Sequence, residues 1–295
     1  IGAAADPLDK SELKFVYELA EDFQVFPTFG VVIPSAALAA VAQVPGLNFN
    51  PMALLHGEQF MELKKPLPPN ATLTSTPRIS AFYDKGSGGL LILDVSTKDQ
   101  SGQEILFNQF SLFIRGLGGF GGEKGPAPIS NEPPKGVAPD VVHREKTLDN
   151  QALLYRLSGD LNPLHADPEM AKTGNFPKPI LHGLCSFGYA SRAVVKHFAD
   201  NDGKRFKNIR ARFVSPVYPG ETLVTEMWRV SPTKIVFRVR VAERGVYAVS
   251  NACIELHPDP KAAAAVTAAP AAQTAVAAEK TGFNAEKVFE QLSAA

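Results

Sequence analysis

The chain contains one unit twice, and this duplication limits its fold more than any single motif does. Pro66-Leu67-Pro68-Pro69-Asn70-Ala71-Thr72-Leu73 lies over Pro216-Val217-Tyr218-Pro219-Gly220-Glu221-Thr222-Leu223, matching Pro66 with Pro216, Pro69 with Pro219 and Thr72-Leu73 with Thr222-Leu223 at an offset of 150 residues. Further on, Gly102 falls over Gly245 and Asn108 over Asn251 at an offset of 143, so the first copy carries extra residues, which fit the Gly-rich loop Lys85-Gly86-Ser87-Gly88-Gly89. Ordered matches at nearly constant offset read as a repeated structural unit.

Each copy has the same plan: a loop, a helical stretch, then four β-rich segments separated by turn residues. In the second copy Leu184, Phe187, Ala190, Val194, Val195 and Phe198 recur near helical spacing and predict a buried stripe. Strands are expected over residues 209–214, 222–230, 234–241 and 246–256, with alternation clearest in Ile235-Val236-Phe237-Arg238-Val239-Arg240-Val241. The first copy supplies matching strands over 55–63, 71–82, 90–98 and 104–115, and a shorter helix over 35–44 that runs into Pro45-Gly46. A long helix against an antiparallel sheet is the expected packing, an α+β arrangement in each repeat. The organisation is then a first repeat over 1–120, a Gly/Pro-rich linker over 121–140, a second repeat over 141–257, and an Ala/Pro-rich tether with the possible start of a following domain over 258–295.

The second copy opens with Tyr155-Arg156-Leu157-Ser158-Gly159-Asp160-Leu161-Asn162-Pro163-Leu164-His165-Ala166-Asp167-Pro168, which crowds a carboxylate, an amide and an imidazole around one proline. Pro163 lacks an N–H and turns Asn162 away from helical dihedrals, so Asp160 to His165 should form a rigid loop able to aim its polar groups at one point. The plainer alternative is an Asx-turn loop in which Asp160 and Asn162 cap their own backbone and His165 is merely solvated.

With Pro179-Ile180-Leu181-His182-Gly183-Leu184 downstream, this string resembles the hydratase 2 motif of the MaoC-like hot-dog enzymes, over about Leu13 to Leu256. The resemblance implies a duplicated (double) hot-dog fold and the (3R)-specific hydration of trans-2-enoyl-CoA in fatty-acid β-oxidation. It also implies a peroxisomal location, a homodimer, and fusion to dehydrogenase and sterol-carrier-like domains in a longer protein. Coenzyme A enters as the substrate thioester, and neither a metal nor a redox cofactor is expected.

Adding water to an α,β-unsaturated thioester needs a base for the water, an acid for Cα, and donors for the oxygen that gains charge. A neutral imidazole at His165 can take the proton from water near neutral pH. Asp160 can hold the same water and pass a proton to Cα, and which of the two is the formal acid stays open. Asn162 can orient the water or the carbonyl. Gly183 stands where the long helix should begin, where free N–H groups meet an oxyanion and the missing Cβ admits the substrate; a glycine needed only for a tight turn is the alternative. The resemblance adds Glu18, in Phe15-Val16-Tyr17-Glu18, as a glutamate tied to activity, and coenzyme A contacts from His56, Gly57, Lys85 and Phe213. Gly-rich surroundings that expose backbone N–H groups would suit Lys85 to a phosphate, against an ordinary hairpin-turn lysine.

Aligning Tyr17 with Tyr155 puts Asp22 over Asp160 and Gln24 over Asn162 but Pro27 over His165. The first copy has lost its base, so one active site per chain is expected. Its short helix is then expected to leave room for a bulky acyl chain.

Thirty basic and thirty acidic residues leave no net charge, which gives no reason to expect a nucleic-acid partner. No run of 18 apolar residues predicts membrane insertion. Cys185 and Cys253 are too few for a disulfide framework and lack CxxC spacing. The opening Ile1-Gly2-Ala3-Ala4-Ala5-Asp6 does not read as a signal peptide, and a chain without an initiator methionine is expected to be an excised or processed domain. The ending Ser293-Ala294-Ala295 is not a peroxisomal tripeptide. A metal hydrolase drawn from His165, Asp167 and His182 lacks any supporting ligand pattern. The closer rivals are a hot-dog acyl-CoA thioesterase and a non-catalytic acyl-CoA-binding module.

Overall fold

The computed structural model describes residues 1–6 and 8–260; most of the Ala-rich tether and the segment 283–292 lie outside them. Residues Ile1–Asp259 form one compact unit. Among the described residues no helix is long and apolar enough to cross a membrane.

Among the described residues the chain forms nine antiparallel strands: β1 (Leu54–Leu63), β2 (Thr74–Asp84), β3 (Gly88–Lys98), β4 (Glu104–Arg115), β5 (Val141–Lys146), β6 (Phe206–Phe213), β7 (Thr222–Arg229), β8 (Lys234–Val241) and β9 (Tyr247–Leu256). They share one sheet in the order β2-β3-β4-β1-β6-β9-β8-β7-β5. Read outward from its centre, the sheet runs β1, β4, β3, β2 on one side and β6, β9, β8, β7 on the other, so the two copies repeat each other's connectivity. The seam is β1 against β6, with Gln59 opposite Ala211 and Met61 opposite Ile209. The ion pair Arg212–Glu58, 2.5 Å, crosses it.

The matched asparagines explain part of the repeat. Asn108 on β4 is fully buried; its Nδ2 donates to the Gly30 carbonyl at 3.2 Å and its Oδ1 accepts from Gln59 Nε2 at 2.9 Å. Asn251 on β9 accepts from the Asn131 N–H at 2.5 Å and donates to the Ile129 carbonyl at 2.7 Å. Each ties an irregular segment to its half of the sheet while satisfying a buried amide. The residues inserted in the first copy lengthen one hairpin: β2 and β3 have 11 residues each, whereas β7 and β8 have 8. The Gly-rich loop is the tip of that hairpin.

Among the described residues four α-helices accompany the sheet: α1 (Ser35–Val41), α2 (Gln151–Tyr155), α3 (Pro168–Thr173) and α4 (Gly183–Phe198). The anticipated stripe of α4 is buried, but so are Ser186, Gly188, Ser191 and Arg192 on its other side. Residues of the first copy's opening segment cause this. Phe15, Phe26, Val31 and Val32 share one core with Phe187, Ala190 and Val194, and Ile1 packs so closely on Gly188 that a Cβ there would stand 2.5 Å from its Cγ2. That segment is held by buried charges: Arg192 Nη1 donates to Glu12 at 2.9 and 3.1 Å, Arg192 Nη2 to Glu145, and Lys196 Nζ to Glu12 at 3.2 Å.

Two expectations are corrected. β5 is a strand where none was expected, because its Val-Val-His-Arg-Glu-Lys sequence sits half-wet at the sheet edge and pairs only with β7. The first repeat has no long helix; α1 ends at Val41, covering Leu91, Leu93 and Phe110 with Ala37 and Val41 as a second, smaller core.

Candidate active site

The loop carrying the polar cluster leaves α2 through a 3-10 turn, Arg156–Ser158, and reverses at Gly159, whose φ of 131° is open to glycine alone without strain. Asn162 takes the extended conformation that Pro163 requires, and a second 3-10 turn, Pro163–His165, presents the histidine. The Asx turns foreseen as the plainer reading are real: Asp160 Oδ1 accepts from the Asn162 N–H at 3.2 Å, and Asn162 Oδ1 from the Leu164 N–H at 3.1 Å. They leave the second carboxylate oxygen of Asp160 and the amide NH2 of Asn162 outside these bonds, and they hold the loop in place.

His165 Nδ1 lies 2.9 Å from the Ile180 carbonyl. A carbonyl only accepts, so Nδ1 carries the proton and Nε2 keeps the lone pair of a base. Burial pushes the His165 pKa below its ordinary 6.5, with the Ile180 carbonyl and the Asp160 charge pulling the other way. A carboxylate oxygen of Asp160 and one ring nitrogen each of His165 and His182 lie within 4.8 Å of one another.

His182, left out of the catalytic set by sequence reasoning, stacks on His165 with ring centroids 3.8 Å apart and donates from Nε2 to the Asp160 carbonyl at 3.2 Å. Its signal was its place in the Pro179–Leu184 string, where it directly precedes Gly183. Gly183 opens the 16-residue α4, is exposed, and would bring a Cβ 3.1 Å from the Phe213 ring.

The seam brings the first repeat to this cluster. His56 packs its ring on Phe213 at 5.1 Å and on Phe110 at 5.5 Å. Burial lowers its pKa to about 4, although Gln59, Glu58 and the Asp160 charge favour its protonated form. Gly57 sits in the β-bulge where β1 shifts register against β4. The structure thus gathers Asp160, Asn162, His165, Gly183, Phe213, His56 and Gly57 around one region.

Two predicted residues lie apart. Lys85, at the β2–β3 tip, stands in the row that runs through Asp84, Gly89, Ile114 and Leu54, at the same end of the sheet as His56 but three strand spacings, about 14 Å, from β1. Its Nζ donates to the Lys124 carbonyl, and the N–H groups of Gly86, Gly119 and Gly121 donate to the Asp84 carboxylate, each at 2.8 Å. The loop's N–H groups therefore serve Asp84 rather than standing free for an anion. Glu18 is exposed in a turn after Phe15 and makes no hydrogen bond or ion pair among the described residues; the buried carboxylate of that segment is Glu12.

The metal reading changes membership, because Asp167 caps α3 by accepting from the Glu169 N–H at 2.9 Å, and Asp160 joins His165 and His182 instead. His165 Nδ1 and His182 Nε2 are already engaged with carbonyls, which leaves one nitrogen on each of two stacked rings. Neither cysteine is a nucleophile at neutral pH, since burial raises both thiols, Cys185 to about 12.

A cavity of about 730 Å³ runs from Tyr155 and Leu184, behind the cluster, beneath Phe26, Phe29 and Val32 toward Glu145. Room for an acyl chain had been expected over the short helix α1. The cavity instead lies against the residues before α1, where the opening segment bridges α2 and α4.

Comparison with known proteins gives the family and the fold. Residues 1–116 match the model of the MFE-2 hydratase 2 N-terminal domain, and residues 130–252 match the MaoC like domain. The chain is 47% identical over 253 residues to a probable enoyl-CoA hydratase 2 of Dictyostelium discoideum, covering 84% of this chain and 86% of that one. It is 47% identical over 267 residues to the peroxisomal multifunctional enzyme type 2 of Mus musculus, covering 88% of this chain but only 35% of the relative, so it spans about a third of that protein's length. Among solved structures, a MaoC-like dehydratase from Phytophthora capsici superimposes with a TM-score of 0.78 at 41% identity, covering 84% of this chain and 88% of that one.

Proposed function

The chain belongs to the hydratase 2 group of the MaoC-like family, and from that premise we propose that it hydrates trans-2-enoyl-CoA reversibly, as a hydro-lyase of fatty-acid β-oxidation, at the Asp160–His165 site. One observation carries the residue assignment: His165 is fixed with its Nε2 lone pair available and Asp160's carboxylate close by. Water held between them loses a proton to Nε2 as its oxygen bonds to C3. The π electrons move toward the thioester oxygen, which the N–H groups at the start of α4, beside Gly183, stabilise. The proton held on Nε2 then passes by way of Asp160 to C2, which restores neutral His165 and the Asp160 carboxylate, and the steps reverse for dehydration. Asn162 orients the water, and His56, Gly57 and Phe213 shape the thioester's approach; Lys85 enters the reading only as a point charge for a phosphate farther along the ligand, reached by leaving the Lys124 carbonyl.

Acid, base and oxyanion donors suffice for this addition, so the reading includes no metal and no redox cofactor; activity unchanged after treatment with EDTA is the expected outcome. The name of the multifunctional relative supports a peroxisomal location and a place inside a longer protein; product configuration (3R) and fusion to dehydrogenase and sterol-carrier-like units belong to the same reading through the resemblance of the motif. A homodimer belongs to the same reading, and a monomeric mass by light scattering at micromolar concentration would count against it. Glu18 keeps at most an indirect role.

The test follows enoyl-thioester absorbance with trans-2-decenoyl-CoA, chiral analysis of the product and free thiol together. A (3R)-hydroxy product without thiol release supports the reading. Thiol release would make the protein a thioesterase, and no reaction with short or long chains would leave a binding module.

A further inference from the structure

We propose that His182 is a positioning residue for the hydration: its ring backs the His165 imidazole while its Nε2–H holds the Asp160 backbone, so that both groups face one water in a fixed geometry. The inference rests on the hydratase reading of the site. His182 is 1% exposed, and it touches both partners of the reaction at once, by the stack of 3.8 Å and 29° on His165 and by the 3.2 Å hydrogen bond to the Asp160 carbonyl. Tyr155 closes the other side at a centroid distance of 4.8 Å.

A residue there only to fill space would be better apolar. The donating Nε2 leaves Nδ1 as a lone pair, and Nδ1 is buried without a partner. That cost to stability has no return in packing, because phenylalanine would fill a similar volume with no orphaned acceptor. What the imidazole adds is one donor aimed at the chain segment that carries Asp160. Asp160 has no regular secondary structure of its own, and Gly159 before it allows wide backbone freedom. A tether from His182, which is anchored at the start of α4, supplies the missing rigidity.

His182 also decides how wet His165 is. The charged and titratable groups facing the stacked pair are Asp160, Arg156 and Tyr155. Burial, His165 and Arg156 lower the His182 pKa to about 3, so the ring stays neutral wherever the reaction runs and adds no acid limb of its own. Its removal reads out through His165: with water replacing the ring, the imidazole of His165 returns toward its ordinary 6.5.

Three variants separate the roles, assayed with trans-2-decenoyl-CoA for kcat, KM and pH profile alongside Tm. His182→Phe keeps the stack and removes the donor; kcat is expected to fall about tenfold to a hundredfold with KM and the acid limb unmoved. His182→Ala removes both, so kcat falls further and the acid limb rises toward pH 6.5. His182→Gln restores a donor and recovers part of the kcat lost in His182→Phe. Wild-type kcat and an unmoved acid limb in folded His182→Phe and His182→Ala overturn the proposal. So does a loss that tracks Tm alone with the pH profile unchanged, which marks a core residue. If His182→Ala fails to fold, the contrast between His182→Phe and His182→Gln decides, equal kcat values overturning it. A wild-type protein that hydrates no enoyl-CoA refutes the function instead, and is seen before any variant is made.

Discussion

The Ile180 carbonyl fixes the tautomer of His165, and that bond assigns proton and lone pair without reference to substrate, which in the proposed hydration makes Nε2 the base. His165→Gln keeps a polar group but not the base, and Asp160→Asn keeps the shape but not the charge; each is expected to lower kcat by about 10²–10⁴-fold with Tm within a few degrees of wild type, by absorbance assay and thermal melt. Since burial lowers the His165 pKa, the neutral base persists below pH 6.5. The acid limb of kcat/KM should therefore fall below 6.5, activity being lost as pH drops through it. Stability runs with the same sign. Burial holds His56 at about 4 and His182 at about 3, both under the ordinary 6.5. Above pH 6.5 folded and unfolded chains carry these rings neutral alike; below it the unfolded chain binds protons that the folded one refuses. Stability should then fall toward pH 4 by about 1.4 kcal/mol per pH unit for each such ring. Urea midpoints that hold constant from pH 7 to pH 5 would show that the two rings are not held neutral.

At the scale of elements, the first turn of α4 stands beside the polar loop and the sheet seam brings Phe213 and His56 to it. The Phe213 ring that a Cβ on Gly183 would meet at 3.1 Å is itself braced by His56, so it has little room to yield. Gly183→Val should lower kcat/KM for decenoyl-CoA at least tenfold while far-UV circular dichroism stays that of the wild type; full activity would remove Gly183 from the substrate's path. Eight strands and the long helix were legible because their apolar residues follow periods of 2 and 3.6. β5 was not, since its solvent-washed alternation carries charge instead of apolar residues. The Asp160, Asn162, His165 loop could be read because proline and a short spacing fix it locally. His182 escaped: its contact with His165 is a ring stack across 17 residues of sequence, and no spacing rule encodes that. Glu12 escaped similarly, because only the fold shows that Arg192 waits 180 residues away. The first repeat's helix is shorter still than expected, and the cavity lies between α2, α4 and the residues before α1, which carry no periodic pattern.

The whole molecule is one body because each repeat completes the other. The first supplies the opening segment that buries α4 and walls the cavity; the second supplies Asp160, His165 and the N-terminus of α4. Arg192 joins these contributions. Its side chain is 4% exposed and is shared by Glu12 of the opening segment, Glu145 of β5 and, through Nε at 3.0 Å, the Ile1 carbonyl. Arg192→Met would leave Glu12, 3% exposed, as a buried charge supported only by Lys196 and the Ala4 N–H. Breaking a buried pair in this way costs about 3–5 kcal/mol, whereas replacing both partners costs less. Glu12→Leu combined with Arg192→Met should therefore recover part of the Tm lost in Arg192→Met alone. Catalysis should respond by chain length. The bonds of Arg192 run to Ile1 and Glu12 of the opening segment that walls the cavity, and to Glu145, not to the Asp160–His165 loop. In Arg192→Met, KM for trans-2-hexadecenoyl-CoA should rise severalfold while KM for crotonyl-CoA holds and kcat for both changes little. An equal rise for both chains would mean that the wall does not bind the acyl tail. An unchanged KM for both, with Tm lowered, would confine the ion network to stability.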